Sequence, residues 1–166
     1  MPEFPSAAVS LVKTAIFVIV APGLVTVYIP RFLLRWSGNK QPVSLPFGIM
    51  GGLLIALGAA LVLPSMWNFA VVGRGTPAPI DPPRVLVTRA WYRRVRNPMY
   101  IGIATIIIGE GVMFRSWTLL GYAVLFLVFC HLFVVLYEEP ALRRKFGASY
   151  ETYRAAVPRW IPGRRS

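Results

Sequence analysis

Four long apolar stretches constrain the fold of this chain more than any other feature. They run from about Leu11 to Ile29, Phe47 to Met66, Pro98 to Phe114 and Trp117 to Tyr137. A helix that crosses the hydrocarbon core of a bilayer needs about 20 mainly apolar residues, and these stretches have that length. Hydrophobic residues make up 56% of the chain, above the roughly 45–50% of soluble domains. The sequence therefore predicts an all-α integral membrane protein with about four transmembrane helices.

The connections between the stretches predict how the spans are arranged. Only residues 114–116 separate the third stretch from the fourth, so spans 3 and 4 should form a tight antiparallel hairpin. After span 4 we expect a helical tail that is interrupted at Gly147 and stopped by Pro158. In span 2, small residues recur every four positions and predict a stripe where another helix packs closely. They are Gly48, Gly52, Ala56 and Ala60.

The positive charges predict the orientation in the membrane. The chain has 18 Lys and Arg against 6 Asp and Glu, a net charge of +12. With four spans, 14 of the 18 lie on the side of the N-terminus, the proline-rich 73–97 segment and the tail. Because Lys and Arg concentrate in cytoplasmic loops, we expect a multi-pass membrane protein with its tail and site on the cytoplasmic side, which is the cell inner membrane if the protein is bacterial.

The same charges exclude some function classes. They lie between apolar stretches rather than along one polar element, which favours contact with anionic lipids over nucleic acid. One Cys and one His form no Cys/His cluster for zinc, so we expect no metal. Neither the GxGxxG nor the Walker pattern of nucleotide-binding domains occurs in the sequence. Membrane lipids are the expected partners.

Two polar clusters lie at the cytoplasmic ends of the predicted hairpin. Asn97-Pro98 has the residue types favoured at the start of a helix, whose free N–H groups attract anions. Glu138-Glu139 lies at the end of span 4. The hairpin should bring both clusters together, and their opposite charges suit a ligand with both an amine and a carboxylate. The methionine end of S-adenosylmethionine is such a ligand.

These clusters belong to a pattern that resembles a known family of membrane methyltransferases. The family includes isoprenylcysteine carboxyl methyltransferase and phosphatidylethanolamine N-methyltransferase. The resemblance covers about Gly75 to Pro162, roughly half of the chain, and its ordered combination of short motifs is specific. The matching residues are Leu86-Val87-Thr88, Tyr92, Arg96-Asn97-Pro98-Met99-Tyr100-Ile101-Gly102, Glu138-Glu139, Phe146-Gly147, Tyr150, Tyr153, Val157-Pro158 and Ile161-Pro162.

The resemblance implies methyl transfer from S-adenosylmethionine to a lipid-like or small amphipathic acceptor, through a carboxylate or an amine. It divides one structural domain into spans 1 and 2, residues 1–72, and a catalytic region, residues 73–166. The residues that it implies for the cofactor are Arg84, Val85, Leu86, Val87, Tyr92, Asn97, Pro98, Met99, Tyr100 and Glu138.

Two positions depart from the family pattern. The family usually has His where this chain has Asn97. The amide of Asn keeps the hydrogen-bonding capacity but cannot take up or release a proton as His does. The carboxyl methyltransferases also have an Arg one turn before the paired acids, where this chain has Val134. This departure argues against a prenylcysteine carboxylate as the acceptor. Because of Asn97, a non-catalytic scaffold or cofactor sensor with the same fold is the alternative function.

His131 and Glu139 are the candidate catalytic residues. His131 is the only histidine and lies within span 4, where ionisable groups are usually functional. His131, Val134 and Glu138 should share one helical face, because they are spaced by three and four residues. His131 could then deprotonate an amine or thiol nucleophile, or it could be a packing histidine that is hydrogen-bonded to another helix.

Overall fold

The structure is a computed structural model that describes residues 20–71 and 86–163. Within these two ranges the chain forms helices joined by short connections and contains no β-strand. The predicted all-α class is therefore confirmed. The first part of span 1 and the predicted cofactor residues Arg84 and Val85 lie outside the described residues.

Helices cover the second, third and fourth predicted stretches, and the helix of the first stretch continues past Ile29 to Trp36. In chain order the elements are a first π-helix Leu24–Tyr28, α1 Ile29–Trp36, α2 Leu45–Val71, a 3₁₀-helix Ala90–Arg93, α3 Pro98–Met113, α4 Trp117–Phe133, a second π-helix Val134–Glu138, α5 Glu139–Phe146 and α6 Ala148–Ala156. Helix α4, the second π-helix and α5 form one uninterrupted helix, Trp117–Phe146.

Two of the helices are long and apolar enough to cross a membrane, Leu45–Asn68 and Trp117–Phe146. They expose large apolar side chains: Leu53 is 67% and Leu125 69% exposed. Surfaces of this kind suit lipid rather than water. Helix α3 has 16 residues and a length of about 24 Å at 1.5 Å per residue, which is shorter than a bilayer core of about 30 Å. The count of four spans stays a prediction, as does the cytoplasmic side of the tail.

Helices α2 and α3 pack together through pairs of glycines. A Cβ atom on Gly51 would lie 2.5 Å from the carbonyl oxygen of Gly109, and one on Gly58 would lie 2.5 Å from that of Gly102. Each pair is seven residues, or two turns, from the other, as expected for antiparallel helices in close contact. The predicted small-residue stripe is wrong, because a Cβ atom on Gly52 would meet nothing within 4 Å. The close contact lies on the neighbouring face.

The turn between α3 and α4 is as short as predicted. Arg115 adopts a positive φ of 50°, and its guanidinium lies 5.2 Å from the centre of the Phe47 ring. The Ser116 side chain accepts a hydrogen bond from the Leu119 backbone N–H at 3.3 Å, which caps the start of α4. The two helices therefore run antiparallel, with the start of α3 beside the end of the Trp117–Phe146 helix.

Both π-helices end two residues before a proline, Tyr28 before Pro30 and Glu138 before Pro140. Proline has no N–H and clashes with the carbonyl four residues earlier in an α-helix. In the wider turn, the N–H of Glu139 bonds to the carbonyl of Val134 instead. One extra residue in a turn rotates everything after it by about 100°, since an α-helix has 3.6 residues per turn.

The tail folds back onto the start of α3. Gly147, with a φ of +50°, ends α5, and α6 ends at Ala156 before Pro158, so both predicted interruptions are confirmed. The backbone N–H of Arg96 donates to the carbonyl of Pro158 at 2.9 Å. This contact fixes the segment after α6 against the residues that precede α3.

Candidate functional site

Asn97 occupies the N-cap position of α3, and Pro98 is its first residue, as predicted. The side chain of Asn97, however, makes no capping hydrogen bond. Its Nδ2 donates to the carbonyl of Arg159 at 3.3 Å. The Asn97 side chain therefore holds the tail, and the backbone N–H groups at the start of α3 receive no cap from it.

Tyr100 and Glu138, two of the predicted cofactor residues, are hydrogen-bonded to each other. The Tyr100 hydroxyl donates to Oε2 of Glu138 at 3.1 Å. Tyr100 lies in the first turn of α3, and Glu138 is the last residue of the second π-helix. The antiparallel hairpin explains this contact, since it places the start of one helix beside the end of the other. Pro98 and Met99 are buried in the same turn.

Tyr92 closes the site from the 3₁₀-helix. It is 7% exposed, and burial raises the pKa of its phenol, with a further increase from the Glu138 carboxylate nearby. Its backbone carbonyl accepts a hydrogen bond from the Tyr153 hydroxyl at 2.7 Å. Burial also raises the pKa of Tyr153, so both phenols stay neutral. Helix α6 is thereby tied over the segment that carries Tyr92.

The other predicted cofactor residues in the described part of the chain lie before the 3₁₀-helix. Val87 is buried and Leu86 is half-buried. Both side chains are aliphatic, so they can contribute only apolar contacts to a ligand.

Glu138 carries a negative charge that no described cation balances. Among residues 20–71 and 86–163, its carboxylate forms no salt bridge. Tyr100 donates to one of its oxygens, and the charge that acts on it most closely is the neighbouring carboxylate of Glu139. A half-buried carboxylate in such surroundings is stabilised by a positively charged ligand.

Glu139 has the opposite environment. It is 6% exposed and accepts hydrogen bonds from Nη1 of Arg96 at 2.9 Å, from Nε of Arg159 at 2.6 Å and from Nη2 of Arg159 at 3.0 Å. The hydrogen bonds that Arg159 donates to Glu139 raise the pKa of its guanidinium. Arg96 also donates to the Tyr150 hydroxyl at 3.1 Å. Because both carboxylate oxygens are engaged, Glu139 is placed to hold the tail rather than to accept a proton.

The second π-helix changes which residues share a face with Glu138. Val134 is buried, with 1% exposure, whereas His131 is exposed, so the predicted common face of His131, Val134 and Glu138 is wrong. Cys130 is buried and close enough to Tyr100 and Glu138 for an electrostatic interaction. The extra residue of the π-turn puts Cys130 in the place that a regular α-helix gives to His131.

His131 lies instead on an apolar groove between α3 and α4. The groove has a volume of about 510 Å³ and opens on the outer face of these helices. Nε1 of Trp160 donates to Nδ1 of His131 at 3.1 Å, so the tail crosses one end of the groove. Residues that line it include Ile101, Thr105, Leu127, His131, Leu132 and Trp160.

Sequence reasoning missed the roles of Arg159 and Cys130. In the sequence Arg159 is only one of the positive charges of the tail, because no local pattern shows that it pairs with Glu139. For Cys130 there was a usable signal: Pro140 follows the acidic pair and disturbs the α-helical spacing. Within the described ranges, no group of three or more His, Cys, Asp or Glu side chains could hold a metal ion.

A comparison with known protein families identifies the family of the chain. A family model described as phospholipid methyltransferase matches residues 47–149, which is more than half of the chain and includes α2, the hairpin and α5. This match implies a membrane methyltransferase. The chain belongs to the phospholipid methyltransferase family. No curated protein and no solved structure matched it.

Proposed function

We propose that this protein transfers a methyl group from S-adenosylmethionine to a lipid-like acceptor at the membrane surface. The observation that carries the proposal is the Glu138 carboxylate, which is hydrogen-bonded to Tyr100 and lacks a described positive partner. A ligand with a cationic centre satisfies that carboxylate. The distribution of Lys and Arg supports a cytoplasmic position for this site.

The residues present fit the methyl donor. The Glu138 carboxylate suits the ammonium or sulfonium charge, and the start of α3 offers backbone N–H groups to a carboxylate. Asn97 leaves those groups uncapped, since its side chain bonds to the tail. The full set proposed for the donor is Leu86, Val87, Tyr92, Asn97, Pro98, Met99, Tyr100 and Glu138, with Arg84 and Val85 added by the resemblance alone.

S-adenosylmethionine supplies an already activated methyl group, whose transfer is an in-line displacement. The tasks left to the chain are alignment and the exclusion of water. Tyr100 and Glu138 form a fixed pair that orients the bound cation. Tyr92 and Tyr153 close the tail over the site through their hydrogen bond. Glu139 keeps the tail in that closed position through Arg96 and Arg159.

The groove between α3 and α4 is the proposed site for the apolar part of the acceptor. It opens toward the lipid-exposed face, where an acyl chain enters without crossing water. His131 lies on its wall and is the only candidate base among the lining residues named above. Val134, where carboxyl methyltransferases carry an arginine, is buried and apolar. An amine acceptor therefore fits better than a carboxylate, because no described side chain at that position balances a negative charge.

Two measurements on the purified protein in detergent test this proposal. The first is equilibrium binding of S-adenosylhomocysteine, the demethylated product. The second is transfer of labelled methyl groups from S-adenosylmethionine into a total lipid extract, followed by identification of the labelled lipid. We expect binding together with label in an amine-containing lipid. Binding without any labelled product would favour the scaffold or sensor alternative, and absence of binding at millimolar concentrations would refute both.

A further inference from the structure

A second pocket adjoins the tail, and its lining is charged. It has a volume of about 340 Å³ and is formed by Arg96, Glu151, Arg154, Ala155 and Arg159. We call it the arginine pocket. It lies between α6 and the residues that precede α3, at the same end of the hairpin as Tyr100 and Glu138.

The positive charges around this pocket exceed the negative ones. Arg96 and Arg159 share the Glu139 carboxylate, and Arg143 and Arg154 share that of Glu151. Four guanidinium groups thus share two carboxylates, which leaves this cluster with a net charge of +2. Guanidinium groups bind the oxygens of phosphate in well-defined geometry.

The arginine pocket and the apolar groove are joined by consecutive residues. Arg159 lines the pocket, and the next residue, Trp160, lines the groove. Neighbouring Cα atoms lie about 3.8 Å apart, so the two sites adjoin each other along this segment of the tail. We propose that the arginine pocket binds the phosphate group of the lipid whose acyl chain occupies the groove. This inference rests on the proposed function, which supplies the lipid acceptor.

The test measures lipid binding without turnover. The full-length protein in non-ionic detergent is titrated with dioctanoylphosphatidylethanolamine and, separately, with dioctanoylglycerol, which lacks the phosphate. We expect Arg154→Gln to weaken binding of the phospholipid about tenfold, the size expected for one charge-assisted hydrogen bond, and to leave dioctanoylglycerol unchanged. Arg154 is 38% exposed, so its replacement should not prevent folding.

Two further variants separate the pocket from the general charge of the tail. Arg144→Gln removes the same charge from an exposed position outside the pocket, and we expect it to bind both lipids as the native protein does. Ala155→Phe narrows the pocket and keeps every charge, and we expect it to weaken binding of the phospholipid alone. If the Arg154→Gln and Ala155→Phe variants bind the phospholipid as tightly as the native protein does, the inference is wrong.

Other sources of the anion give different results. If inorganic phosphate binds as tightly as the phospholipid and does not compete with it, the pocket takes free phosphate and the lipid assignment is wrong. If Arg154→Gln weakens S-adenosylhomocysteine binding as much as phospholipid binding, the pocket serves the carboxylate of the methyl donor and the inference is also wrong. Arg154-dependent phospholipid binding without methyl transfer would refute the proposed function and support the pocket. Methyl transfer with Arg154-independent lipid binding would refute the pocket alone.

Discussion

Glu138 and Glu139 are neighbours in the chain and lie in opposite electrostatic surroundings. Glu139 accepts three hydrogen bonds from two arginines, whereas the bond to Glu138 comes from the neutral Tyr100. Adjacent residues in a helix point about 100° apart, so each carboxylate faces a different part of the molecule. Glu139 faces the tail and holds it in place. Glu138 faces the start of α3 and is the carboxylate that remains available to a cationic ligand.

Because of this difference, Glu139 contributes to the stability of the fold, whereas Glu138 is available for ligand binding. The charge of Glu139 is balanced inside the protein, and its removal leaves arginines without a partner. The charge of Glu138 has no described counterpart, so its removal relieves a cost of folding and takes away a ligand contact. Substitutions at the two positions should therefore have opposite consequences for unfolding and for ligand binding.

The largest effect on stability is expected for Glu139→Gln. This change leaves Arg96, a buried cation, without a counter-charge, and breaking a buried ion pair typically costs about 3–5 kcal/mol. Thermal unfolding in detergent, followed by circular dichroism, measures the loss. Glu151→Gln is the matched control: Glu151 is 51% exposed, and its loss should cost no more than about 1 kcal/mol. Equal stability of the two variants would show that the Glu139 cluster is not structural.

The largest effect on function is expected for Glu138→Gln. We expect S-adenosylhomocysteine binding and methyl transfer to fall about 10- to 100-fold, since a hydrogen bond or ion pair with a charged group contributes about 1.5–3 kcal/mol. The unfolding midpoint should stay the same or rise, because an unbalanced charge is removed. Parallel titration calorimetry and unfolding curves measure both effects. A destabilised variant with unchanged ligand binding would reverse our assignment of the two acids.

A smaller loss is expected for Tyr100→Phe. The substitution removes the hydroxyl that orients Glu138 and keeps the charge and the ring, so we expect methyl transfer to fall about tenfold. Tyr137→Phe is the control, because Tyr137 is 47% exposed and belongs to the same π-helix as Glu138. Initial rates with labelled S-adenosylmethionine compare the two variants. If both lose the same activity, the Tyr100–Glu138 hydrogen bond is not part of the site.

The smallest and most selective effect is expected for His131→Gln. Glutamine can accept the hydrogen bond from Trp160 and cannot act as a base near neutral pH. If His131 deprotonates the acceptor, the variant transfers methyl groups more slowly than the native protein. A variant with the native rate would leave His131 only its packing role. Binding of S-adenosylhomocysteine should be unchanged in either case, because His131 lies on the acceptor groove.

Much of the fold follows from the sequence in a simple physical way. Long apolar stretches have to be helical in lipid, where every backbone hydrogen bond must be made within the segment. The three-residue turn, the break at Gly147 and the stop before Pro158 follow from local backbone preferences. The meeting of Asn97–Tyr100 with Glu138 also follows, because two helices joined by a tight turn return to the same level. These features depend only on length, periodicity and local chemistry.

Tertiary structure decided the direction in which individual side chains point. The glycine face of α2 is Gly51 and Gly58, because they meet Gly102 and Gly109, and the spacing of small residues within α2 did not reveal this partner. The π-turn before Pro140 rotated Glu138 and Glu139 relative to His131, which placed one acid toward Tyr100 and the other toward Arg159. The contacts of a side chain depend on how far its helix has turned up to that residue and on where the distant tail packs. The sequence by itself determined which residues gather at this end of the hairpin, and only the packing of the tail decided which carboxylate is balanced and which is available to a ligand.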